Sequence, residues 1–191
     1  MDGILNRITS FLADNNNIEE ERLEVIRYGL EILLLKVSFF IASMALGILM
    51  QSFWECLLFT VSFSAIRSLA GGYHADTRIK CFVQSMCMLM AVLVIFKLIQ
   101  KNLFGCEVVL CLSIIAAVII WVFSPIDTEN KRLTNRERKI LKIKSRSVLM
   151  IEAVILVSTY LLDYGKIACS IMLALIVTAI LMTIGGVKNT K

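Results

Sequence analysis

A single histidine, a single proline and a low content of charge are what this sequence has little of. With His74 alone, the usual multi-imidazole zinc site is out of reach, and no Cys-x-x-Cys or Cys/His cluster replaces it. No metal and no cofactor are therefore expected. Pro125 stands alone and glycines are sparse, which argues against long disordered segments. Charged residues make up only 18% of the chain against 58% hydrophobic, and the mean hydropathy is +0.81. Those values exclude an ordinary soluble domain. The first thirty residues carry charges throughout and no continuous apolar core, so a cleavable signal peptide is not expected.

What is present is a series of long apolar runs, at about residues 31–50, 52–69, 81–100, 104–123, 147–163 and 166–185. Each approaches the roughly 20 residues that cross a bilayer as helix. Barrel strands would be half as long and would alternate in polarity. The expected fold is an all-α membrane protein, one bundle of six transmembrane helices without a separate soluble domain. It divides into an N-terminal segment 1–30, the bundle 31–185 and a tail 186–191. The two halves show no convincing internal repeat of the kind secondary transporters carry. Cys56, Cys87, Cys106, Cys111 and Cys169 fall in or beside apolar runs and read as small buried residues, not as bridges.

Lysine and arginine are unevenly shared between the connections. Sixteen fall in the N-terminal segment, the second and fourth connections and the tail; three, Lys97, Lys101 and Lys166, fall on the other side. Lys36 lies within the first run. The positive-inside rule then puts both termini in the cytoplasm, together with His74 and Cys81. Before the first span, Ile4, Leu5, Ile8, Phe11 and Leu12 recur at helical spacing, which predicts an amphipathic helix in the headgroup layer. Asn15, Asn16 and Asn17 break it, and Asn17 with Glu20 resembles a capping box for the helix that follows.

The chemistry is concentrated in Arg67-Ser-Leu-Ala-Gly-Gly-Tyr-His-Ala-Asp-Thr-Arg-Ile-Lys-Cys81, between two apolar runs. A neutral imidazole beside a thiol is the minimum equipment for a cysteine nucleophile, because the base generates the thiolate. On one straight helix, seven residues would separate His74 from Cys81 by about 10.5 Å. The pair therefore needs His74 on a turn folded back over the helix that carries Cys81. Gly71 and Gly72 suit such a turn, since glycine reaches positive φ without steric cost. Asp76 or Thr77 can cap the third span, which puts Cys81 four or five positions into it, near the positive end of the helix dipole. The alternative is a polar loop histidine and an unrelated membrane-edge thiol. Arg67 either snorkels to headgroups, fixes the loop or holds a substrate carboxylate. Glu31 is the first choice for orienting the imidazole, with Asp76, Gln84 and Glu152 as the others; Lys36 can instead neutralise Glu152.

These residues carry a resemblance. Arg67-x-x-Ala70-Gly71-Gly72-Tyr73-His74-Ala75 followed by Cys81, Tyr28-Gly29-Leu30-Glu31 before the first span, and Ser124-Pro125-Ile126-Asp127 followed by Asn130-Lys131 after the fourth are similar to the accessory gene regulator protein B family. That family comprises quorum-sensing membrane endopeptidases of bacteria, and the likeness covers essentially the whole chain. It implies a bacterial cell-membrane enzyme whose partners are lipids and a precursor peptide with an amphipathic leader and an acidic tail. A homodimer is also entertained, and no nucleic acid. It further implies that Cys81 is the nucleophile and His74 the general base and acid. The tail is then cut off through a thioester, and the new carboxyl end closes into a thiolactone or lactone. Arg67, Gly71 and Gly72 are expected beside the substrate.

The fourth connection holds eight cations. Positive-inside topology and anionic lipid explain such a cluster. The sharper expectation is that Arg136, Arg138 and Lys139 hold the acidic tail. Two other classes compete: a peptide transporter using Glu55, Glu107 and Glu152, and a thiol-based scaffold or redox sensor. A transporter predicts that Cys81→Ser is tolerated; a peptidase predicts lost cleavage.

Overall fold

Among the described residues, six helices follow one another along the chain. They are α1 (Glu20–Leu49), α2 (Phe53–Ala70), α3 (Arg78–Gln100), α4 (Cys106–Phe123), α5 (Asn135–Leu161) and α6 (Gly165–Asn189). A computed structural model describes residues 20–71, 77–101, 105–126 and 134–189. The expected interfacial helix around Ile4–Leu12 lies outside the described residues, as do Gly72, His74 and Asp76. Residues 1–42 form one unit and 43–191 another. Within the first unit, α1 runs unbroken from Glu20 and exposes Val25, Tyr28, Leu33, Val37 and Ile41.

Among the described residues, five helices are long and apolar enough to cross a membrane: Arg22–Leu49, Phe53–Ala70, Ile79–Gln100, Cys106–Phe123 and Gly165–Gly186. The sixth, α5, begins at Asn135, well before the apolar run expected at 147–163. Its first turns are basic and its apolar part is interrupted by Glu152, which keeps it outside that group. The residues Arg136, Arg138 and Lys139, read as part of a connection, therefore stand on a helix. A reciprocal capping box starts it: Glu137 N–H donates to Thr134 Oγ1 at 3.3 Å, and Thr134 N–H donates to Glu137 Oε2 at 3.0 Å.

The second unit is organised around α6. Ala168, Cys169, Ser170, Met172, Ala174, Leu175, Thr178, Ala179 and Met182 are all buried there, and α2, α4 and α5 pack around it. Ser170, Ala174 and Thr178 recur every fourth residue, the small-residue stripe that lets helices approach closely in a membrane. The hydroxyls do not go unsatisfied. Ser170 Oγ donates to Lys166 O at 2.9 Å and Thr178 Oγ1 to Ala174 O at 2.8 Å. On α2 the inward line Cys56, Phe59, Phe63, Ile66 and Ala70 follows the helical period, with Phe59 stacked on Phe63.

Direction along the bundle is fixed by its two ends. Lys166 in the first turn of α6 pairs with Glu55 in the first turn of α2 at 3.7 Å. At the far end of the same two helices lie Arg67 and Gly186. The first turns of α2 and α6 thus share one end, and their last turns share the other, which is called the basic end below. Cys56 and Cys169 are buried as expected, whereas Cys87, Cys106 and Cys111 are exposed on the outer faces of their helices. An apolar surface facing lipid accommodates a thiol as easily as a core does, so sequence hydropathy does not separate the two.

Candidate functional site

At the basic end the last turn of α2 is tied to the segment that leaves α4. Arg67 Nη1 donates to the carbonyl of Gly71 at 2.9 Å, and Gly71 N–H donates to Arg67 O at 3.3 Å, closing the helix. Gly71 has φ +75°, a left-handed value that favours glycine. It pairs in parallel with Ile126, whose N–H donates to Ala70 O at 2.9 Å. A Cβ on Gly71 would collide with the carbonyl oxygen of Ile126. Of the two glycines in the turn, Gly71 is thus required on both conformational and steric grounds.

Ile126 is itself held from behind. Ser124 N–H donates to Ile120 O at 3.0 Å and ends α4. The buried Ser124 Oγ donates to Ser145 Oγ at 2.7 Å, and Ser145 Oγ donates to Lys142 O at 3.2 Å. This two-serine clip fastens the Ser124-Pro125-Ile126 segment to α5. A Cβ on Gly186 would rest 3.6 Å from Ile126 Cδ1, so α6 abuts the same segment. The ends of α2, α4 and α6 meet around Gly71 and Ile126, and α5 is fastened beside them at Ser145.

Across the undescribed link from Gly71, Thr77 opens α3. Its side chain accepts from Lys80 N–H at 3.3 Å, and its carbonyl accepts from Cys81 N–H at 3.0 Å. Of the two caps considered, Thr77 fills the role, and Cys81 is the fourth residue of α3. The thiol is half-exposed and free. Arg67 lies within electrostatic range of Cys81. A cation and a partly open thiol near a helix amino terminus thus lie within electrostatic range of one another.

The other sequence candidates are distributed as follows. Arg136, Arg138 and Lys139 are exposed in the first two turns of α5. Gln84 is exposed one turn beyond Cys81, and Glu31 is half-buried on α1 in the first unit. Glu152 is buried and accepts from Ser62 Oγ at 2.8 Å. Ser62 precedes Arg67 by five residues, so this pair sits about 7.5 Å deeper along α2. Among the described residues no three His, Cys, Asp or Glu side chains come together as a metal site requires.

Sequence reading missed the Ser124–Ser145 clip and the Ser62–Glu152 bond. A signal for the second half of each existed: Ser145, Leu149, Glu152 and Leu156 follow the spacing of one helix face, which the shorter predicted span cut off.

The sequence profile described as accessory gene regulator B matches residues 5–184. An AgrB-like protein 2 of Clostridium perfringens is 27% identical over 190 residues, covering 92% of this chain and 86% of that protein. Accessory gene regulator protein B of Staphylococcus intermedius is 24% identical over 151 residues, 79% of each chain. The protein of that name from a bovine strain of Staphylococcus aureus is 24% identical over 158 residues, covering 81% of this chain and 83% of its own. No solved structure matches. The matched region takes in Arg67, Gly71, Cys81 and the Ser124–Ile126 segment alike, and the chain belongs to the accessory gene regulator B family of quorum-sensing membrane proteins.

Proposed function

We propose that the protein is a cysteine endopeptidase of the bacterial cell membrane that removes the tail of a precursor signal peptide and promotes its cyclisation. The observation that carries this is the convergence of Arg67, the amino terminus of α3 and the half-exposed Cys81 beside the anchored turn at Gly71. His74 is three residues from Gly71 and three from Thr77.

In the proposed reaction His74 takes the Cys81 proton, and the thiolate attacks the carbonyl carbon before the acidic tail. The C–N bond breaks, His74 protonates the leaving amine, and a thioester to Cys81 remains. A thiol or hydroxyl within the peptide then attacks that carbonyl, forming the ring and restoring the Cys81 thiol. Thioester exchange conserves the activation that hydrolysis would dissipate, so the site must keep water out until the ring closes. Arg67 acts by holding the turn through the Gly71 carbonyl.

The topology that accompanies this reading has six spans, with α5 counted among them, and both termini and the basic end in the cytoplasm. The amphipathic N-terminal segment lies on that surface. Arg136, Arg138 and Lys139 receive the acidic tail by charge complementarity. The transporter reading has one observation in its favour, the buried Glu152.

Co-expression with a precursor peptide of that design tests the proposal. Tail release is expected from the wild type and from neither Cys81→Ala nor His74→Ala at equal membrane level. Release retained in both variants overturns it and leaves the transporter reading in front.

A further inference from the structure

The cation on α5 closest to α4 is held in a way that the proposed peptidase chemistry does not use. Arg146 lays its guanidinium over the ring of Trp121, with Cζ 4.6 Å from the ring centroid, and Nη2 donates to the Trp121 carbonyl at 3.2 Å. Its Nε is buried without a hydrogen-bond partner. Arginine stacked on an aromatic ring is pre-organised to receive a phosphate, since its fork is fixed before the ligand arrives. Tryptophan at the end of a span marks the headgroup level of a bilayer.

The rest of that α5 face continues the pattern. At 100° per residue, Lys139, Arg146, Met150 and Val157 fall within about 40° of one another. Two cations stand at one end of this line and two apolar side chains at the other. Met150 is 54% exposed and Val157 56%, although both lie in the apolar part of the helix. Ser145, Leu149, Glu152 and Leu156 hold the buried face, about 110° around the helix from this line. From Arg146 to Val157 the helix rises about 16 Å, close to the half-thickness of a bilayer's hydrocarbon core. The stripe therefore has the length and polarity of one phospholipid, a phosphate above and an acyl chain below.

We propose that the α4–α5 face built by Trp121, Lys139, Arg146, Met150 and Val157 is a binding site for an anionic phospholipid. Its phosphate is held by Arg146 and Lys139, and its acyl chain lies along Met150 and Val157. Two cations favour a net-negative headgroup over a zwitterionic one, and the apolar stripe favours a lipid over a soluble acidic peptide. The site is separate from the turn at Gly71 and from Cys81; it shares Lys139 with the surface proposed for the acidic tail, whereas Arg146 and Trp121 belong to the lipid site alone.

The test is native mass spectrometry of the intact protein released from micelles doped with phosphatidylglycerol or phosphatidylcholine. The wild type is expected to retain phosphatidylglycerol at least fivefold more than phosphatidylcholine. Arg146→Gln and Lys139→Gln should each lower that retention severalfold, and Lys101→Gln, at the opposite end, should not. Arg146→Lys keeps the charge but loses the planar stack, and is expected to retain an intermediate amount. A circular-dichroism melt of each variant separates lost binding from lost folding. Equal retention of the two lipids by the wild type overturns the site, as does unchanged retention in a folded Arg146→Gln. Displacement of the lipid by soluble glycerol phosphate or by an acidic peptide at equal concentration also overturns it, because the acyl-chain stripe then contributes nothing.

Discussion

Gly71 carries more of the site's geometry than any other described residue of the turn. Its carbonyl takes the Arg67 guanidinium, its backbone pairs with Ile126, and its φ of +75° leaves no room for a side chain. Gly71→Ala is expected to cost about 1–3 kcal/mol of stability through the strained φ and the clash. Tail release should fall further than the thermal midpoint does, because the turn anchors the link that bears His74. The two serines behind it make a directional prediction. Ser145→Ala removes the acceptor of the buried Ser124 hydroxyl and should cost about 1–3 kcal/mol. Ser124→Ala leaves Ser145 bonded to Lys142 O and should cost about 1 kcal/mol or less. Thermal melts of both variants in detergent check the order, and the reverse order contradicts the assignment of donor and acceptor. The demand for a glycine turn was legible in the sequence, since no other residue pair between spans two and three reaches positive φ so cheaply. Which glycine carries it was not, because that depends on Ile126, which is 55 positions away.

At the scale of the element, α5 is where sequence and structure part most instructively. Hydropathy locates the apolar 147–163 run, but the helix begins at Asn135. Thr134-Asn-Arg-Glu137 is a capping-box pattern, and it was the available signal for that earlier start. Reading helix from Asn135 puts Ser145, Leu149, Glu152 and Leu156 on one face and explains the polar residues among them. Glu152 meets Ser62 of α2 there, a bond between helices that no local pattern encodes. If this bond joins α2 to α5 and does nothing more, Glu152→Gln keeps an acceptor for Ser62 and should change stability by less than about 1 kcal/mol. Tail release by Glu152→Gln is expected to match the wild type, whereas Glu152→Ala should lower the melting point through the cavity it opens. Loss of activity in a folded Glu152→Gln would instead point to a carboxyl that works, as a transporter requires. The central position of α6 was only half visible. Its hydropathy resembles that of α4, and the Ser170, Ala174, Thr178 stripe is what distinguishes a helix surrounded by others from one facing lipid.

For the whole molecule, length and hydropathy give the helix order, while the assembly of the basic end depends on contacts distant in sequence. Arg67, Gly71, Cys81, Ile126, Ser145 and Gly186 come from five helices or their ends, and only the first three were adjacent enough to be read together. The central claim is that Cys81 at this junction is an acylated nucleophile. The most direct measurement is intact and peptide-level mass spectrometry of the purified protein, acid-quenched during reaction with a precursor whose internal ring-forming residue is alanine. With cyclisation blocked, the account predicts a mass gain on the Cys81 peptide equal to the tail-less precursor less one water, as an acyl thioester requires. That adduct should be removed by hydroxylamine and be absent in Cys81→Ala. Tail release by Cys81→Ala at the wild-type rate, with no adduct on the wild-type thiol, would contradict the account.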